Sequence, residues 1–176
     1  RTVGWPIHEE AARALFVGIA TDTGWFRHSN TDQRAFAVCA DLVAQGVQSN
    51  TIYQALYQRE SVARVRLLGA SLASLELRAG GRLAIMTLDP RAFAACAASQ
   101  GDTEDLVNEP LRIAEVVVSL MFVDTGDGIV RINLRSKAGT SPDIDVAELA
   151  KSLGGGGHRR AAGARVSAPL ADVRAR

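Results

Sequence analysis

Apolar positions along this chain follow two different periods, and the change between them divides the sequence. Phe36, Val38, Cys39, Leu42 and Val43 recur at helical spacing within "DQRAFAVCADLVAQG", and Ile52, Leu56, Tyr57, Val62, Val65, Leu68 and Leu72 do so between Asn50 and Leu75. Such spacing lays one apolar stripe along a helix. Asn30 or Thr31 suits the N-cap of the first of these helices and Gly46 its end. An earlier helix is predicted over Ile7–Phe16, "IHEEAARALF", because Pro6 precedes it and Glu9 and Glu10 sit in its first turn. Leu15–Ala20 is either the end of that helix or a short buried strand, since periodicity does not separate the two. A polar loop follows from Thr21 to Ser29.

Beyond Leu75 the pattern alternates. "LASLELRAGGRLAIMTLDP" reads as a hairpin turning at Gly80 and Gly81, and "AEVVVSLMFVDTGDGIVRINLRSK" as a second one turning at Thr125–Gly128. "RAFAACAASQ" predicts a helix after Pro90, and "DIDVAELAKSL" another, N-capped near Asp143 or Asp145, that runs into four consecutive glycines. "GARVSA" closes the order as a short strand. Helices followed by strand, strand, helix, strand, strand, helix and strand predict an α/β (α+β) fold: a small helical piece, then a lobe with a mixed β-sheet flanked by helices. Asn50–Leu75 contains few turn residues and suits a linker helix between the two.

Composition narrows the classes of function. The 176 residues are 47% hydrophobic and 22% charged, with no apolar run approaching the roughly 20 residues of a membrane helix. A net charge of +1 argues against coating long nucleic acid, which requires many neutralised phosphates, so any anion site is local. Cys39 and Cys96 lie in alanine-rich helical stretches and read as buried free thiols of a cytoplasmic protein. The beginning at Arg1, without an initiator Met or a leader, suggests a piece of something longer.

Three stretches carry candidate chemistry. In "SLGGGGHRRAAGARV" a run of glycines leaves backbone N–H groups open to an anion, with His158, Arg159 and Arg160 adding donors; the alternative is an over-long helix cap beside solvated basic residues. Neither a nucleoside-triphosphate loop nor a dinucleotide fingerprint is present. In "GIATDTGWFRHSNT", Asp22 is placed to meet a hard divalent cation at the end of a strand, or simply to cap a turn. Arg27 and Asn30 could meet a phosphate there, and His28 could be a ligand or a surface residue. In "INLRSKAG", Arg135, Ser136 and Lys137 end a strand, where a guanidinium suits phosphate or base recognition or merely faces water. "DTGDG" lacks the ligand spacing of a calcium loop and reads as the hairpin turn.

Taken together, "GIATDTGWFRHSNT", "NLRSK" and "DVAELAKSLGGGGHRRAAG" resemble the C-terminal two-thirds of DHH-family phosphoesterases, most closely the bifunctional oligoribonuclease and pAp-phosphatase type. The resemblance implies residues 1–48 as the tail of the DHH catalytic domain, 49–65 as the linker helix, and 66–176 as the DHH-associated substrate-binding domain. It implies a complete enzyme with two manganese ions, magnesium being the other candidate, that hydrolyses short oligonucleotides and 3′-phosphoadenosine 5′-phosphate. Asp22 then matches a metal ligand and catalytic residue. Gly155, Gly156, Gly157 and His158 match the substrate-phosphate site, Arg135 the arginine that holds the nucleotide, with Ser136, Arg27 and Asn30 beside substrate. The paired histidines that name the family are absent, so the chain is expected to be a fragment without catalysis of its own. Expected partners are a short oligonucleotide or nucleoside bisphosphate and no membrane, with homodimerisation open. The alternatives are another DHH-family exonuclease or cyclic-dinucleotide phosphodiesterase, or a non-catalytic RNA- or nucleotide-binding module.

Overall fold

The computed structural model describes residues 7–28 and 30–175; Pro6 and Ser29, named above for the first helix and the loop, lie outside the described residues. The chain divides into two compact units, Arg1–Glu60 and Ser61–Arg176, each described by itself.

The first unit holds α1 (Glu9–Asp22), α2 (Gln33–Ala44) and α3 (Ser49–Tyr57). Leu15–Ala20 is continuous helix, which settles the alternative left open by periodicity. Ala12, Phe16 and Ala20, each four residues apart on α1, are buried against Cys39, Leu42 and Val47. Asp32, rather than Asn30 or Thr31, caps α2: its carboxylate accepts the Ala35 N–H at 2.9 Å. Gly46, with φ of 100°, follows the end of α2 as expected. Burial pushes the Cys39 thiol up, and both cysteines are free and buried.

The single linker helix expected over 49–65 is two helices, α3 and then α4 (Val62–Ala73) in the second unit. The polar stretch Gln58–Ser61 supplies the break, and the Ser61 hydroxyl accepts the Arg64 N–H at 3.0 Å to start α4. A serine that can bond its own backbone competes with helix continuation there.

The second unit is built on a six-stranded mixed sheet: β1 (Glu76–Arg78), β2 (Leu83–Leu88), β3 (Val118–Asp124), β4 (Val130–Ser136), β5 (Gly156–His158) and β6 (Ala161–Val166), in the order β1-β2-β3-β4-β6-β5. Both expected hairpins are present, with Gly80 and Gly81 at φ of 66° and 87° in the first turn. β2 and β3 pair in parallel, so the chain crosses over between them through α5 (Pro90–Cys96) and two 3₁₀ segments, Gln100–Thr103 and Leu106–Arg112. The expected glycine loop is partly the edge strand β5.

Two cores follow from the alternation. On one face Val118, Phe122, Val130, Ile132, Leu134, Ala162, Ala164 and Val166 pack under α6 (Val146–Ser152) and α7 (Leu170–Arg174). On the other, Met86, Leu88, Met121 and Val123 pack with Leu67 of α4, Phe93 of α5 and Leu106 and Val107 of the second 3₁₀ segment. Leu67, Met86 and Met121 are fully buried, each contributing about 1.5–3 kcal/mol of transfer free energy. The helical cover of this second face lies mainly over β2 and β3, with the second 3₁₀ segment also touching β4, and the β4–β6–β5 part of it carries polar side chains, a glycine pair and Ala161 instead.

Candidate functional site

Each glycine of the run answers first to the fold. α6 ends in a two-bond cap in which Gly154, at φ of 76°, donates to Lys151 O at 3.0 Å and Gly155 donates to Ala150 O at 2.8 Å. Those two amides are therefore closed to a ligand. A Cβ on Gly155 would lie 2.1 Å from Gly163 O, and one on Gly157 would lie 2.6 Å from Ala161 O. Gly157 also has φ of 143°, a backbone that side chains rarely adopt. Only Gly156 sits in β5 with open space on its Cβ side, nothing lying within 4 Å. Three glycines of the run thus have a reason within the fold: close contact with β6 accounts for Gly155 and Gly157, and the helix cap for Gly154. Because β5 is an edge strand paired only with β6, its outer backbone groups are the ones left for an anion.

Arg159 and Arg160 form the turn between His158 and Ala161. Their guanidinium groups are not free donors, as first read, but converge on Asp143: Arg159 Nε reaches Asp143 Oδ2 at 3.1 Å and Arg160 pairs with Oδ1. These bonds hold the Asp143 carboxyl below the usual carboxylate range. Of the two caps considered for α6, Asp145 is the one used, accepting the Ala147 N–H at 2.9 Å.

Strand register then decides which candidates meet. His158 pairs with Ala161 and Ala161 with Arg135, so His158 and Arg135 lie in one cross-strand row on the uncovered face. The next row is Gly156, Gly163 and Asn133, and the following one Arg165 and Arg131. The two glycines leave the middle row without side chains beyond Cα. His158 is exposed, and the side chains of His158, Asn133 and Arg165 have no partner among the described residues. Arg135 has one bond, NH1 to its neighbour Leu134 O at 3.1 Å. On this face the Arg135 and Arg165 guanidinium groups and the His158 imidazole have unused donors, beside Arg131, which is largely taken up by Asp127, and the set suits an anion.

Ser136 does not join this row. It is buried on the opposite face, where its hydroxyl donates to Ile144 O at 2.9 Å, because successive strand residues point to opposite faces. Lys137 is also taken up, its Nζ donating to Ile113 O at 2.8 Å and Ala114 O at 3.2 Å. Asn133, Arg131 and Arg165 were missed by the sequence reading, although Arg131, Asn133 and Arg135 alternate with Val130, Ile132 and Leu134 in the strand it identified. A cavity of about 440 Å³ lies along Arg131, Asn133, Gly163 and Arg165, beside Gly154, Gly155 and Gln100.

In the first unit, Asp22 is the last residue of α1, not the end of a strand. The negative end of a helix dipole disfavours a carboxylate there and favours a cation, and α1 has no basic residue in its last turn. Gly24, Trp25 and Phe26 follow at φ of 54°, 56° and 64°, turning the chain back past the helix end. Two successive non-glycine residues in this region are uncommon. Their rings anchor the turn: Trp25 packs edge-on against Tyr53 and Tyr57, and Phe26 stacks on Phe36 at 5.0 Å. The turn delivers Asn30, whose Nδ2 donates to Asp22 Oδ2 at 2.9 Å, and His28, whose Nδ1 lies 3.3 Å from Asp22 O. Arg27 folds onto the same turn, with Nε donating to Gly24 O at 2.7 Å. Asp22, Arg27, His28 and Asn30 are thus brought together, with Asn30 bonded to the carboxylate.

Among the described residues no three His, Cys, Asp or Glu side chains gather as a metal site. One carboxylate held by an asparagine does not fit a pair of divalent ions by itself. Among the described residues, too, no helix is long and apolar enough to cross a membrane.

Comparison with known proteins finds relatives over most of the chain. Residues 89–174 match the DHHA1 domain. The bifunctional oligoribonuclease and PAP phosphatase NrnA of Thermus thermophilus is 34% identical over 155 residues, 88% of this chain and 44% of that protein. The protein of the same name from Bacillus subtilis is 29% identical over 167 residues, 93% of this chain and 50% of its own length. The crystal structure of an exopolyphosphatase-related protein from Bacteroides fragilis is 26% identical, covers 96% of this chain and 48% of that one, and superposes with a TM-score of 0.85. The chain spans about half the length of the relatives it matches. With the mixed sheet, the glycine–histidine hairpin and these matches in place, the chain carries a DHHA1 domain and is similar to the C-terminal portion of DHH-type oligoribonuclease and PAP phosphatase proteins.

Proposed function

We propose that this chain supplies the substrate-gripping portion of a manganese-dependent phosphoesterase acting on short oligonucleotides and on 3′-phosphoadenosine 5′-phosphate. The observation that carries the reading is the shared row of His158 and Arg135 on a sheet face left bare by helices, in a chain whose relatives are named for these substrates. A phosphate set on this row meets the imidazole, the guanidinium and the outer backbone edge of β5, which together neutralise it without an extended basic surface. The modest net charge suits a substrate only a few nucleotides long.

Hydrolysis belongs, in this proposal, to a longer protein in which Asp22 is one of several metal ligands. Asn30 holds one carboxylate oxygen of Asp22, and the other has no partner among the described residues. The 176-residue chain is therefore expected to bind a dinucleotide and not to cleave it.

Calorimetric titration of this chain with the dinucleotide pApA tests the site. His158→Ala is expected to weaken binding by about 1–3 kcal/mol, the range for losing a charge-assisted contact. An unchanged titration would remove His158 from the site. In the longer protein, Asp22→Ala is expected to abolish manganese-dependent hydrolysis, and full turnover would rule out the metal role.

A further inference from the structure

The cavity beside the proposed phosphate row has a chemistry of its own. Its volume of about 440 Å³ is of the size that holds a small organic ligand. Gly154, Gly155 and Gly163 make part of its lining bare peptide, and Asn133, Gln100 and Arg165 supply side chains that have no bond to another side chain among the described residues. Among the described residues no Asp or Glu lines it. Arg131 is a fixed wall rather than a free grip, since NH2 is bound to Asp127 at 2.7 Å, while its buried Nε has no acceptor among the described residues.

An inorganic anion would use the cations but leave the acceptor oxygens of two carboxamides facing it. A nucleobase uses both kinds of group: Asn and Gln each offer a donor and an acceptor to a base edge, and a guanidinium plane stacks on a base face. Arg165 lies four residues along β6 from Ala161, the partner of His158, a separation of about 13 Å. That separation is comparable to the reach of one nucleotide from its phosphate to the far edge of its base.

We propose that this cavity is a nucleobase pocket, with Asn133 and Gln100 meeting the base edge and Arg165 stacking on its face, a reading that rests on the phosphate site proposed above. The pocket belongs to the nucleotide whose phosphate occupies the His158–Arg135 row. It makes the site selective for nucleotides over sugar phosphates and other small phosphorylated compounds.

Adenosine 5′-monophosphate and ribose 5-phosphate share the phosphorylated ribose, and only the first carries a base, at the carbon where the second has a hydroxyl; nuclear magnetic resonance titration of the isotope-labelled chain with each tests the proposal. The wild-type chain is expected to bind the nucleotide more tightly, with amide shifts at Gly154, Gly155 and Gly163 produced by the nucleotide alone. Asn133→Ala and Arg165→Gln are each expected to weaken the nucleotide by about fivefold or more, the lower end for losing one base contact, while leaving ribose 5-phosphate within about twofold. His158→Ala is expected to weaken both ligands, and circular dichroism melts confirm that each variant is folded. Equal binding of the two ligands by the wild-type chain, or Asn133 and Arg165 variants that shift both ligands alike or neither, would overturn the base pocket while leaving the phosphate row standing. Failure of the wild-type chain to bind either ligand would overturn both.

Discussion

Around Asp22 the polar groups are bonded to one another. Asn30 donates to the carboxylate, His28 lies against the Asp22 carbonyl, and Arg27 turns onto Gly24 O, all on a loop held in left-handed backbone by packed aromatic rings. On the β4–β6–β5 face the arrangement is reversed: ladder and cap take up the backbone except along the outer edge of β5, and the side chains of His158, Asn133 and Arg165 have no partner among the described residues. The first region presents one well-held carboxylate, too few groups for the chemistry of two metal ions. The second presents a rigid surface with unused donors. In the proposed reading, therefore, the second region does the gripping and the first holds only one part of a reacting centre.

Substitutions in the glycine run should break this comparison most severely. Gly155→Ala would drive a Cβ to within 2.1 Å of Gly163 O, a contact with backbone on both sides, and is expected to cost at least the roughly 1–3 kcal/mol of ordinary overpacking. Gly156→Ala meets nothing within 4 Å and is expected to keep the fold while crowding the bare middle row and weakening nucleotide binding. Equal unfolding midpoints for the two variants in chemical denaturation would refute the assignment of Gly155 to the fold.

Ser136→Ala is expected to cost about 1 kcal/mol of stability, because Ile144 O loses the shorter of its two side-chain donors and keeps only Arg160 NH1 at 3.3 Å, with dinucleotide affinity unchanged. Weakened binding at unchanged stability would return Ser136 to the site. Asp127 sharpens the contrast through pH. Its carboxyl is lowered to about 2, chiefly by the Arg131 guanidinium and then the Ile129 N–H. A carboxyl depressed in the folded state stabilises fully above its unfolded value, near 4, and loses that contribution as pH falls toward about 2. Thermal melts across that window are expected to fall more steeply for the wild-type chain than for Asp127→Asn. Parallel curves would show that the pair does not contribute.

Smallest is the effect of Asp22→Asn on this chain: a slight rise in the unfolding midpoint, since a negative charge leaves the negative end of α1. A fall would mean that the Asn30 bond outweighs the dipole.

Much of the fold was legible in residue order. The two hairpins, the helix after Pro90, the helix before the glycines and the helical first unit follow from local periodicity, proline placement and turn glycines, all properties of neighbouring residues. The boundary at Gln58–Ser61 was missed because apolar spacing continues across it, and only the Ser61 cap reveals two helices. Placing Arg135 and Ser136 in one site overlooked the pleat, which sends them to opposite faces.

By itself the sequence determined the elements, the family resemblance and the residue types able to meet phosphate, because these depend on short-range pattern. Only the tertiary structure decided the parallel pairing of β2 with β3, the strand register that sets His158 beside Arg135, and the reason for Gly155 and Gly157. Those outcomes rest on contacts between backbones that approach one another only when the sheet assembles, and no local period records which strand will be the neighbour.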